Sequence, residues 1–222
     1  MGIYLNSDDT DFRSAVKYSR IYVDKTELIR YTNSVLFGEQ KYICVSRPRR
    51  FGKSMAANML TAYYSRGCDS RKLFQGLKIA THPDFEKHLN QYNVIHLNMR
   101  DYLTESENMK QLIQFVEDDL LDELQQEFSD LRMPRRKTLV KVLEQAFVQY
   151  KIPFVFIIDE WDCIFRVHKS DAASQKEYLD FLRNLLKDKS YIALAYMTGI
   201  LPIKKYGEHS AINVFYEYSM TD

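Results

Sequence analysis

Glycine and proline are sparse in this sequence, at 7 and 5 of 222 residues, which leaves little room for long flexible linkers. The length suits one large domain or one domain with an appendage. Residues 1–222 are therefore read as a single domain with its core at about 15–205. Cysteine is sparser still. Cys44, Cys68 and Cys163 are odd in number and widely spaced, with no C-x-x-C, which argues against a thiolate zinc cage. Cys44 and Cys163 sit beside apolar residues and read as small buried hydrophobes in a reducing compartment. No apolar run approaches the length of a membrane span. The N-terminus, MGIYLNSDDTDF, is polar and acidic and does not resemble a secretory signal. A cytoplasmic protein is expected. Neither sign of charge dominates: 31 Lys and Arg against 30 Asp and Glu gives no global drive toward nucleic acid or membrane. The five histidines lack a spacing such as H-E-x-x-H, and there is no G-x-S-x-G elbow.

Apolar residues are plentiful, at 45%, enough for a sizeable core. Their spacing sorts the chain into alternating elements. Residues 26–36 read as a short amphipathic helix entered from Thr26, and 41–46 (KYICVS) as a strand. An apolar helix follows at 55–65, with Gly67 as its expected stop, and a further short helix begins at Pro83. Residues 92–99 alternate as a strand, 107–128 carry helical spacing, and a second long helix runs from Leu139 to Tyr150. FVFII (154–158) and YIALAYM (191–197) are continuous apolar strands of the kind buried on both faces of a parallel sheet, with a helix at 178–186 between them. This is an α/β pattern: a central, mainly parallel sheet flanked by helices in three layers. Ligands in such sheets bind beyond the carboxyl ends of the strands. Three polar segments fall at those ends: RPRRFGKS, DEWD and TG.

The first segment carries the second half of a phosphate-binding loop. In G-x-x-x-x-G-K-[ST], backbone N–H groups wrap phosphates, the lysine reaches the terminal phosphates and the hydroxyl binds magnesium. Gly52, Lys53 and Ser54 fit, after a strand and at the start of a helix whose positive end adds to the anion site. The first glycine is replaced by Arg47, followed by Pro48, which lacks an N–H. Phosphate contact is thus expected from Arg49, Arg50, Phe51, Gly52, Lys53, Ser54 and Met55. The second segment is of the Walker B type. Asp159 is expected to share magnesium with Ser54, and Glu160 to orient and deprotonate the attacking water. Asp162 reads as a helix N-cap or a surface residue. Thr198, at the end of the next strand, is a candidate sensor of the γ-phosphate, although Thr-Gly also suits an ordinary turn.

IYVDKTELI (21–29), SRPRRFGKSM (46–55), LFQGLKI (73–79), FIIDEWD (156–162) and MTGILPI (197–203) together resemble the bacterial AAA-ATPase-like family. The resemblance covers nearly the whole chain, and the Arg-Pro opening of the loop looks like a trait of that family. It implies an AAA-like P-loop core that binds ATP with Mg2+, with Lys53, Ser54, Asp159 and Glu160 at the matching motif positions. It also brings Tyr22, Asp24 and Lys25 into a matched segment near the nucleotide or the loop. Members often carry a nuclease-like domain of the PD-(D/E)XK type. Neither that domain nor a helical lid is read in these 222 residues. Three functions are weighed: ATP hydrolysis coupled to a change in an unknown partner or substrate, a nucleotide-gated binding module with little turnover, and a nucleic-acid-interaction domain using the basic residues 47–53 and 135–137. Arginines supplied by an oligomer are compatible with the first.

Overall fold

The computed structural model describes residues 2–203 and 212–219. Among the described residues five strands form one sheet: β1 (Tyr42–Ser46), β2 (Asn93–Asn98), β3 (Phe154–Asp159), β4 (Ile192–Gly199) and β5 (Tyr216–Tyr218). Their order is β2-β3-β4-β1-β5, and every neighbouring pair is parallel. The continuous apolar runs produce β3 and β4, which are buried along their whole length.

Alternation along each strand divides the core in two. Ile43, Val155, Ile157 and Tyr196 turn to one face, where α1 (Thr10–Tyr18), α2 (Glu27–Val35), α3 (Lys53–Tyr64) and the short α4 (Arg71–Phe74) and α5 (Phe85–His88) pack. Cys44, Phe156, Ile158 and Met197 turn to the other, beneath α6 (Met99–Glu105), α7 (Met109–Glu127), α8 (Leu139–Tyr150), α9 (Cys163–Val167) and α10 (Ala172–Leu186). The fold is thus a three-layer α/β arrangement around a parallel sheet. In α7, Leu112, Val116, Leu120 and Leu124 recur at helical spacing and are fully buried, each contributing roughly 1.5–3 kcal/mol. Asn108 caps its start by accepting the Gln111 N–H at 3.0 Å.

Several boundaries depart from the sequence reading. The helix expected from Tyr178 starts six residues earlier, because Asp171 accepts the Ser174 N–H at 3.0 Å and caps α10. The small and polar residues 172–177 give no apolar period to detect. The helix expected from Pro83 begins at Phe85. Gly67 is not the stop of α3, which ends at Tyr64 with Ser65 extended. A Cβ at Gly67 would lie 2.2 Å from the Asn6 carbonyl oxygen, so glycine is required there by the close approach of the N-terminal segment. That segment covers the free edge of β2: Asn6 N–H donates to Val94 O at 2.8 Å and His96 N–H to Tyr4 O at 2.9 Å. α1 and β5 carry signals too short or too polar for a sequence reading.

Candidate functional site at the carboxyl rim of the sheet

The carboxyl ends of four strands line up. Asn98 lies opposite Asp159, Asp159 opposite Thr198, and Thr198 opposite Val45. With strands about 4.8 Å apart, Asp159 and Val45 stand about 10 Å from each other, with Thr198 between them. The chain leaving β1 passes into α3 on one face of the sheet, and the chain leaving β4 packs Leu201 and Ile203 on the other. Adjacent strands whose continuations go to opposite faces open a crevice at their carboxyl ends in parallel α/β sheets.

The 47–52 loop closes one wall of the crevice. Arg47 N–H continues the β1–β4 pairing by donating to Gly199 O at 3.1 Å. The chain then turns through two left-handed residues, Arg50 (φ 70°) and Gly52 (φ 75°). The first, a non-glycine, costs about 1 kcal/mol or more. Gly52 leads into α3, and a side chain there would meet the Lys25 Nζ at 2.9 Å. Lys25 Nζ donates to Phe51 O at 2.7 Å and lies against the loop. Lys53 is only 8% exposed, and its Nζ donates to Pro48 O at 3.1 Å. An ammonium so enclosed forms no close ion pair among the described residues and is hydrogen-bonded to a neutral carbonyl, which leaves it able to take an anionic ligand. Arg49, Arg50, Phe51 and Ser54 are exposed on the same turn, and Met55 is half-buried behind them.

Asp159 closes the opposite wall and is 4% exposed. Burial pushes its carboxyl above the ordinary value of 3.8. The Ser54 hydroxyl, the Glu160 N–H (2.9 Å from Oδ1) and the Lys53 charge oppose that rise. Ser54 and Lys53 thus lie close enough to lower the pKa of Asp159, a residue about a hundred positions further along the sequence. Among the described residues no group of three His, Cys, Asp or Glu could hold a metal by itself. A magnesium bound through one hydroxyl, one carboxylate and phosphate oxygens does not need one.

Glu160 takes a left-handed backbone (φ 53°), and its carboxylate is ion-paired with the Arg166 Nη2. Arg166 Nε also lies 3.2 Å from Asp162 Oδ2. Asp162 is not a surface residue: it is fully buried. It precedes α9 without a capping bond, and its Oδ2 accepts the Ile200 and Leu201 N–H groups at 3.1 and 2.9 Å. It pins the turn after β4, a role that needs contacts forty residues away and leaves no local signal. Thr198 is fully buried, and its Oγ1 has no hydrogen-bond partner among the described residues. A hydroxyl left so is costly unless something else fills its bond. Gly199 is constrained as well, since a Cβ there would lie 2.6 Å from Asp162 Oδ1 and 2.7 Å from Trp161 Nε1.

A family model described as predicted AAA-ATPase matches residues 9–207. The chain belongs to the AAA-ATPase-like family. No curated protein matches it significantly. Membership points to nucleotide binding in general. It also gives meaning to a contact outside the strand ends of this AAA-ATPase-like chain. Asp24 accepts the Lys78 N–H at 2.8 Å, and Thr26 Oγ1 accepts the Ile79 N–H at 3.1 Å, so the matched segments 21–29 and 73–79 are tied together. Burial alone would raise the Asp24 carboxyl, but the Lys78 and Thr26 N–H groups and the Thr26 hydroxyl leave it lowered and ionised. The tie fixes the strand-like entry to α2 and, through Lys25, the loop itself. Beside the loop lies a cavity of about 330 Å³, lined among others by Leu28, Tyr31, Val45, Phe51, Lys53 and Tyr218. The Tyr31 and Tyr218 hydroxyls hydrogen-bond to each other at its margin. Among the described residues, no helix of this family member is long and apolar enough to cross a membrane.

Proposed function

We propose that the protein binds MgATP and hydrolyses it to ADP and phosphate, coupling this to a conformational change in a partner or substrate. One observation carries the reading: β1, which leads into Lys53 and Ser54, and β3, which ends at Asp159, flank β4 with their carboxyl ends in line, so that the two motifs meet at one rim. The backbone of residues 50–54, the start of α3 and Lys53 would hold the phosphates. Arg49 and Arg50 add positive charge, and Phe51 and Met55 flank the turn. Ser54 and Asp159 would hold magnesium, which when bound spreads the charge of the terminal phosphates. Glu160 accepts a proton from the attacking water. The unpartnered Thr198 hydroxyl donates to the γ-phosphate or that water, and the apolar cavity beside the loop suits the base.

The ion pair between Glu160 and Arg166 favours a second reading, a nucleotide-gated binding module with little turnover. Measuring phosphate release by wild type and Glu160→Gln, with binding followed by calorimetry, separates the two. Hydrolysis predicts unchanged binding and turnover lowered about 100-fold or more in the variant. Equal binding with no turnover in either protein supports the module. Salt-dependent DNA binding that ATP fails to displace would support a nucleic-acid-interaction domain instead.

A further inference from the structure

Next to Glu160 is a second cavity, of about 450 Å³, between α6 and α9. Three arginines from three elements line it: Arg49 from the loop, Arg100 from α6 and Arg166 from α9. The side chains of Arg49 and Arg100 make no hydrogen bond or ion pair among the described residues. Among the described residues no acidic side chain lines the cavity. Among them Arg166 meets two carboxylates, those of Glu160 and Asp162. Three guanidinium groups, of which only Arg166 is ion-paired among the described residues, form a positive pocket. Arg166 stands at its inner end, holding the group assigned to activate water.

The remaining lining narrows the ligand. Leu103 and Val167 are apolar, and Val167 is 64% exposed. Among the described residues no aromatic ring lines the cavity, whereas single-stranded nucleic acid is held by aromatic stacking. Carboxylates beside an apolar side chain match both parts of the lining, with bidentate pairing to arginine available. We propose that this cavity receives an acidic, partly apolar segment of a partner protein, whose carboxylate draws Arg166 off Glu160 and so turns hydrolysis on. The second half of this proposal rests on the hydrolytic reading above; the site itself does not.

Trp161, the only tryptophan, lies fully buried between Glu160 and Asp162 in sequence, so its fluorescence reports on the latch without any need for turnover. The test titrates the full chain with a short peptide alternating glutamate and leucine, with its glutamine counterpart, and with an oligothymidylate of equal charge. The expected result is a saturable Trp161 emission change with the acidic peptide alone, and turnover raised at least about tenfold. Arg100→Glu should cancel both responses while MgATP still binds. Arg166→Ala should run fast without peptide and gain nothing from it. Arg166→Lys and thermal melting check that Asp162 still holds the β4 turn in these variants. An acidic peptide that changes neither emission nor turnover overturns the proposal. So does an equal response to the oligothymidylate, or a folded Arg166→Ala protein slower than wild type. If emission responds and Arg100→Glu cancels it, yet no condition yields phosphate release, the site stands and the hydrolytic reading falls.

Discussion

Asp159 bears the sharpest conflict between stability and function. Burial raises its carboxyl pKa, so the folded chain holds a proton there more tightly than the unfolded chain does. Its contribution to stability is therefore fully present below the unfolded value and is lost as pH rises through the folded one. At neutral pH the ionised group opposes folding, a cost that fits the proposed role in holding a cation. Asp159→Asn should melt at a higher temperature than wild type, by about 2–4 °C for each kcal/mol relieved, and should lose turnover. Magnesium-dependent nucleotide binding should weaken as pH falls through the raised pKa, beginning above the usual carboxylate range. A calorimetric melt and a pH series of titrations check both. A variant that melts lower would show that Asp159 is stabilised, not strained, by its surroundings. Residue types at this site were legible in sequence because Asp159 and Glu160 close an apolar strand, and Lys53 and Ser54 open the helix that follows another. Arg166 and the buried role of Asp162 were not, because their contacts depend on tertiary approach; Lys25 was placed near the loop only through the family resemblance.

At the scale of elements, the junction between loop and helix is the most constrained. Gly52 has a positive φ and opens α3 against the Lys25 ammonium. Gly52→Ala adds left-handed strain of about 1–2 kcal/mol and pushes Lys25 away from Phe51 O. The variant should melt several degrees lower and bind nucleotide more weakly. A melt equal to wild type would mean that the loop has another conformation. Long periodic elements such as α7, α8, β3 and β4 were legible because apolar spacing decides them. α10 was legible only in its apolar half, and its start depends on Asp171. β5 is three residues long, its pairing with β1 is a long-range event, and Glu217 within it accepts the Ser46 hydroxyl at 2.9 Å.

At the scale of the molecule, sequence alternation implied a parallel sheet but not its order. The insertion of β4 between β1 and β3 decides the site. It holds the lysine strand and the acid strand one strand apart and sets the Thr198 hydroxyl between them. If that crevice accepts a triphosphate, Lys53 is the residue whose loss matters most, because among the described residues its buried ammonium hydrogen-bonds to a carbonyl and forms no close ion pair. Calorimetric titration of MgATP into wild type and Lys53→Ala, with MgGTP as a parallel arm, measures this directly. Saturable binding by wild type and affinity lowered about 10- to 100-fold in the variant is the expected result. Equal affinity in the two proteins, or no binding by either, would contradict a nucleotide site between Lys53 and Asp159.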